Sequence, residues 1–174
     1  MSQIRSETVY TKWGGSFTCY NGKAAEIEFI EFVASFARCF RPRLIIETGA
    51  GRGFTTRSLV KACPVRSTYI AVESDEVFHS ELIGIDDRIE IRTKCPTMAF
   101  ADLVVLDSIT GNRIREIDQF CKEARSGAVC IVHDVSNRHQ KGAIHRRLFD
   151  HLQGVDLPQI MLNNPRGGCI LTKA

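Results

Sequence analysis

The sequence predicts an α/β fold: a single three-layer domain whose central sheet of about seven strands is mostly parallel, with helices on both faces. Three observations predict it. Apolar runs of strand length alternate along the chain with amphipathic segments of helix length. One run, Leu44-Ile45-Ile46-Glu47-Thr48, passes directly into a loop of alternating glycines, Gly49, Gly51 and Gly53, as a strand turning tightly into a helix does. Finally, 174 residues with 44% hydrophobic content suit one domain with a full core and leave no second domain to find.

Residues 1–22 are polar, with turns at Trp13-Gly14-Gly15 and Asn21-Gly22, and read as an arm ahead of a domain over 23–174. From Lys23 to Phe40 the apolar positions Ile27, Ile30, Val33, Ala34, Ala37 and Cys39 approximate a helical face that Pro42 closes. Strand 44–48 leads through the glycines to a helix over 54–63. Strand 69–73 ends in Glu73, a short helix over 75–82 follows, and strands are expected at 88–92 and 102–107. A helix over 112–124, strand 127–133, a helix over 139–152 and strands near 155–162 and 168–173 complete the order. Such alternation implies a parallel sheet covered on both faces.

The formal charge of +3 does not indicate a nucleic-acid partner, and Arg138, Lys141, Arg146 and Arg147 form no continuous helical stripe. A solvated helix face explains them. The seven cysteines are odd in number, lack a C-x-x-C pair and mostly lie in apolar runs, so reduced, buried thiols in a cytoplasmic protein are expected. No apolar stretch approaches the ~18 residues of a membrane span, and the residues after Met1 do not resemble a secretory leader.

In a sheet of this kind a ligand lies beyond the carboxyl ends of the strands, near the point where strand order reverses. Glu47, Glu73, Asp107, His133 and Asp134 all end predicted strands. The glycine loop leaves main-chain N–H groups bare for a ligand. A dinucleotide fingerprint G-x-G-x-x-G would need glycine where this chain has Phe54, which argues against NAD.

Read as E-x-G-x-G-x-G, residues 47–53 resemble the first motif of class I S-adenosylmethionine-dependent methyltransferases. Tyr69-Ile70-Ala71-Val72-Glu73 resembles the second strand of that family, its acid 20 residues past the last glycine, and Asp102-Leu103-Val104-Val105-Leu106-Asp107 resembles the fourth. Gly127-Ala128-Val129-Cys130-Ile131-Val132-His133-Asp134 resembles the fifth in a small-molecule branch where it ends in His-Asp. The resemblance covers about residues 24–173 and implies a Rossmann-like domain that binds S-adenosylmethionine. It implies cofactor contacts from Glu47, Gly49, Ala50, Gly51, Gly53, Phe54, Glu73, Ser74 and Asp107, with Glu73 on the ribose hydroxyls. It also implies chemistry at Asp107, His133 and Asp134, with Asp107 and His133 as base candidates. Each has a plainer alternative: Glu47 bracing the loop, Glu73 or Asp107 capping the next helix, His133 held by a carbonyl.

The chain departs from its relatives in two places. Where many carry an acid after the third strand, this chain reads Arg92-Thr93-Lys94-Cys95-Pro96, and too few residues separate Ile91 from Asp102 for the usual helix. After Asp107 it has Ser108-Ile109-Thr110-Gly111-Asn112 in place of Asp-Gly-x-His-x-Tyr, so a second histidine is absent. Catechol-type and sugar methyltransferases place acids around a divalent cation here, which would make Asp107 and Asp134 ligands. His133 suits Mg²⁺ poorly, and metal is not the favoured reading. The arm, the segment after Asp107 and residues 135–141 are expected over the site, with Trp13, Tyr20, Asn137 and Arg138 as acceptor-contact candidates. The expected function is O- or N-methylation of a small molecule, the pocket being completed either by the chain alone or in a homo-oligomer. The alternatives are a nucleic-acid methyltransferase, whose binding would fall steeply with salt, and a non-catalytic binder of S-adenosylmethionine or S-adenosylhomocysteine.

Overall fold

The computed structural model describes residues 6–10, 16–20, 24–136 and 143–174. Strands β3 (Leu44–Thr48), β4 (Thr68–Val72), β5 (Ile89–Arg92), β6 (Leu103–Leu106), β7 (Val129–His133), β8 (Gln159–Leu162) and β9 (Gly168–Thr172) form one sheet in the order β5-β4-β3-β6-β7-β9-β8. Only β9 runs against its neighbours. The chain winds outward from β3 through β4 to β5, then returns to place β6 on the other side of β3. The carboxyl ends of β3 and β6 therefore flank the switch point.

Burial follows position in the sheet. Central β6 and β7 are buried at every residue, whereas the edge strand β5 alternates half-buried with exposed. One face of the sheet (Ile46, Val72, Val104, Leu106, Cys130, Val132) packs on Ile117 and Phe120 of α4 (Thr110–Glu123) and on Leu148 and Leu152 of α5 (Ala143–Gln153). The other (Ile45, Tyr69, Ala71, Leu103, Val105, Ile131) packs on Phe29, Ile30 and Val33 of α1 (Ile27–Phe40) and on Leu59 and Val60 of α2 (Phe54–Ala62). Each fully buried Phe or Ile contributes on the order of 2 kcal/mol. The expected three-layer architecture and seven strands are present.

Boundaries differ for local reasons. The helix expected from Lys23 begins at Ile27, because Glu26 stays extended and its carbonyl accepts the first helical N–H groups. The segment expected as a helix at 75–82 is a 3₁₀ turn, Glu76–Phe78, capped by Asp75, running into α3 (His79–Leu82). The last pair of strands is shorter than expected: β8 starts only after Pro158. The arm contains an unforeseen hairpin, β1 (Glu7–Tyr10) against β2 (Ser16–Cys19), each strand holding consecutive β-formers (Thr8-Val9-Tyr10 and Phe17-Thr18) and Cys19 bridging to Glu26. No helix joins β5 to β6; Glu123 holds that segment by accepting from Thr97 Oγ1 at 3.0 Å and the Met98 N–H at 2.9 Å. All seven cysteines are free thiols, four of them buried and Cys39 exposed. Among the described residues no helix is long and apolar enough to cross a membrane.

Candidate functional site

The glycine loop is pressed onto the end of β6. Gly49 has φ +72°, and a Cβ there would lie 2.4 Å from the Asp107 carbonyl oxygen, so no side chain fits. At Gly51 an added Cβ would meet only the Gly49 carbonyl at 3.9 Å and would project into an open cradle. The Gly51 N–H donates to Glu73 Oε2 at 2.7 Å, and Glu73 Oε1 accepts from the Asp75 N–H at 2.9 Å. Glu73 thus ties the loop to the end of β4.

Two cavities open on either side of this loop. One, of about 450 Å³, is lined by Thr48, Glu73, Ser74, Lys94, Cys95 and Glu116 among others. The second, of about 800 Å³, is lined by Ala50, Gly51, Arg52, Phe54, Asp134 and Arg166 among others. They share Gly49, Asp107, Ser108 and Ile109. Phe54, opening α2, stacks on Tyr20 with ring centroids 5.0 Å apart.

The structure brings Gly49, Ala50, Gly51, Phe54, Glu73, Ser74, Asp107 and Asp134 to the cavity walls, but not Glu47, Gly53 or His133. Glu47 lies beneath the loop, 2% exposed, accepting the Thr56 and Tyr69 hydroxyls at 2.6 Å each. Burial, outweighing these two hydrogen bonds, pushes its carboxyl up to about 7. Gly53 serves as the N-cap of α2. Trp13, Asn137 and Arg138 fall outside the described residues.

His133 is fully buried on the α1 side of the sheet, its Nδ1 2.8 Å from Asp107 Oδ1 and its Nε2 2.7 Å from Glu26 Oε2, with the Phe29 ring centroid at 4.2 Å. Burial alone would lower its pKa. The charges of Asp107 and Asp134, with the hydrogen bonds to Asp107 and Glu26, override that and raise it to about 10. At neutral pH both ring nitrogens carry protons and both donate, so His133 is an imidazolium rather than a proton acceptor. The strand ends at His133, and Asp134 turns with φ +60°, which brings its Oδ1 within 3.7 Å of His133 Nδ1.

Two arginines complete the cluster. Arg113 of α4, 4% exposed, donates to the Ser108 carbonyl at 2.8 Å and the His133 carbonyl at 2.5 Å, and lies 3.4 Å from Asp107 and 3.6 Å from Asp134. Arg166, in the turn before β9, donates to Asp134 Oδ2 at 2.8 Å, has Nε 2.7 Å from Oδ1, and donates to the Ala24 carbonyl at 2.8 Å. Burial would raise the Asp134 pKa, but His133, Arg166 and Arg113 hold it well below the usual carboxylate range. The same contest, decided by His133, keeps Glu26 low. Sequence reasoning missed Glu26, Arg113 and Arg166. Each looks like a solvated helix or turn residue until β6, β7 and α1 converge.

Ligand atoms of Asp107, His133 and Asp134 lie within 4.8 Å of one another, a spacing that could hold a metal ion. The donor set does not fit one. Both His133 nitrogens are engaged by carboxylates and Asp134 is held by a guanidinium, so the acids already have their counter-cations.

No known family profile and no curated protein matches the chain. Among solved structures it is similar to a Klebsiella pneumoniae protein described as an O-methyltransferase, at TM-score 0.72 and 19% identity over 88% of this chain and 84% of that one. It is similar to the O-methyltransferase TomG of Streptomyces achromogenes, involved in tomaymycin synthesis and solved with S-adenosylmethionine, at TM-score 0.67 and 20% identity over 87% and 82%. An O-methyltransferase from Bacillus cereus, solved with S-adenosylhomocysteine, superposes at TM-score 0.69 with 16% identity over 88% and 84%. The chain thus shares its fold with these O-methyltransferases.

Proposed function

We propose that this chain is an S-adenosylmethionine-dependent methyltransferase acting on a small molecule, with a hydroxyl oxygen as the favoured acceptor atom. The observation that carries the reading is the coupling of Glu73 to the Gly51 N–H, which sets a ribose-binding carboxylate on the rim of a glycine cradle at the switch point. The O-methyltransferases with the same fold support the acceptor atom. When bound, the cofactor supplies a sulfonium methyl group that is displaced in line.

The chain's own residues then align and deprotonate the acceptor. Glu73 accepts from the ribose hydroxyls, Ser74 borders the nucleoside, and the bare backbone at Gly49, Ala50 and Gly51 admits the amino-acid portion. Asp107 lines both cavities; its Oδ1 is held by His133, while Oδ2 has no partner among the described residues. Oδ2 accepts the hydrogen bond from the acceptor hydroxyl, orients a lone pair toward the methyl carbon, takes the proton as the new C–O bond forms, and releases it to water. His133 and Asp134 are positioning residues that fix Asp107 through the charge cluster.

Calorimetric titration with S-adenosylmethionine, S-adenosylhomocysteine and NAD tests the reading. Micromolar binding of the sulfur compounds, lost in Glu73→Ala, with no NAD binding, supports it. An inert protein refutes it.

A further inference from the structure

The cavity of about 450 Å³ beside Glu73 has two unlike walls. The segment after β5 offers Thr93, Lys94 and Cys95, with no carboxylate. The α4 wall carries Glu116, 8% exposed, whose Oε2 accepts the Thr48 hydroxyl at 2.9 Å and the Ser108 hydroxyl at 2.6 Å. Its Oε1 has no donor among the described residues, yet it is not among the atoms sealed from solvent. A carboxylate this buried normally has both oxygens satisfied, so Oε1 is an acceptor facing whatever the cavity takes. Gln119, nearly one turn further along α4, gives its amide NH₂ to the Pro96 carbonyl at 2.9 Å and to Glu123 Oε2 at 3.0 Å, and its own oxygen has no partner among the described residues. Across the cavity, the main-chain N–H groups of Lys94 and Cys95 donate to no described group.

We propose that this cavity reads the Watson–Crick edge of adenine, with Glu116 Oε1 accepting the exocyclic 6-amino group and a main-chain N–H after β5 donating to ring N1. The inference rests on the cofactor reading above and deepens it: recognition that relatives route through an acid after the third strand passes here to α4. Adenine presents a donor beside an acceptor at that edge. Hypoxanthine presents the reverse, a 6-oxo group beside an N1–H, and would set a carbonyl against the carboxylate.

The test compares S-adenosylhomocysteine with S-inosylhomocysteine by calorimetry, in the wild type and in Glu116→Gln. The wild type is expected to favour the adenine form by at least about tenfold, since a mispaired buried acceptor is costly. In Glu116→Gln the amide oxygen stays with the Thr48 and Ser108 hydroxyls and the NH₂ turns to the cavity, so the preference moves by at least about tenfold toward the inosine form. A brace for Thr48 and Ser108 alone would leave that ratio unmoved. A wild type that binds both forms equally, or a folded variant with an unchanged ratio, overturns the assignment to Glu116 while leaving the cofactor reading intact. A wild type that binds neither overturns the cofactor reading itself. If thermal unfolding shows the variant to be misfolded, the wild-type ratio decides alone.

Discussion

Glu47 makes folding stability depend on pH in a way one substitution should erase. A carboxyl lifted by burial from 4.5 to about 7 is disfavoured as an anion by roughly 3 kcal/mol. Because the folded carboxyl holds its proton more tightly than the unfolded one, the stability it lends is full below about pH 4.5 and is lost as pH rises through about 7. In Glu47→Gln the amide oxygen can take over both hydroxyl hydrogen bonds, from Thr56 and Tyr69, and the site no longer titrates. Any fixed cost of the unpaired NH₂ shifts the variant's curve without tilting it. Urea unfolding followed by far-ultraviolet circular dichroism, from pH 5 to pH 8.5, should show the variant gaining roughly 2–3 kcal/mol on the wild type across that range. All other titrating groups are common to both proteins and cancel. A difference flat to within about 0.5 kcal/mol would refute the argument that burial, rather than the two hydroxyl donors, governs this carboxyl.

Gly49→Ala forces a Cβ to within 2.4 Å of the Asp107 carbonyl at φ +72°, so a loss of about 3 kcal/mol or more is expected, read as a fall of roughly 6–12 °C in Tm together with lost S-adenosylhomocysteine binding. His133→Gln leaves Glu26 and Asp107 without their shared cation and should cost about 3 kcal/mol at pH 7 in urea unfolding. Since the folded His133 pKa is raised, its contribution is full below about pH 6.5 and disappears as pH rises through about 10, so the wild type should lose stability over that range and the variant should not. Asp107→Asn should keep cofactor affinity within a few-fold while abolishing turnover with a hydroxyl acceptor; equal turnover would remove Asp107 from the mechanism. Exhaustive chelation should leave both affinity and turnover unchanged, whereas activity restored by Mg²⁺ or Mn²⁺ would show that a cation displaces the arginines.

The sheet was legible because its strands carry their own punctuation: Leu44 to Thr48 ending in glycines, and β4, β6 and β7 each running into an acid or histidine. Glu73 was legible for the same reason, since its distance from the glycine loop follows from one β-α-β unit. The arm hairpin was not. Its four-residue strands are separated by polar and glycine residues that signal turns, and only pairing with each other and the Cys19 bridge to Glu26 shows them as strands. Glu26 was hidden differently: a helix expected from Lys23, four residues before Ile27, makes it look like an exposed first-turn acid, whereas it is completely buried against His133. Arg166 sits in Asn164-Pro165-Arg166-Gly167-Gly168, where sequence reports a turn and nothing about the Asp134 carboxylate it holds.

Why the chain keeps such a cluster follows from where it lies. Glu26, Asp107 and Asp134 are balanced by Arg113, His133 and Arg166, drawn from the start of α1, the ends of β6 and β7, α4 and the turn before β9. Burying ions costs several kcal/mol each before pairing, and apolar residues of similar volume commonly give equal or greater stability. A network built only for stability would be better replaced by leucines. The elements it ties together are those that surround Asp107, the one acid among the described residues that both cavities share. The His133 hydrogen bond to its Oδ1, with the Arg113 guanidinium 3.4 Å away on the same side, leaves Oδ2 as the remaining acceptor among the described residues. The desolvation cost is thus incurred where it sets the direction of one carboxylate oxygen, which on the proposed mechanism is the oxygen that orients the acceptor hydroxyl toward the methyl carbon.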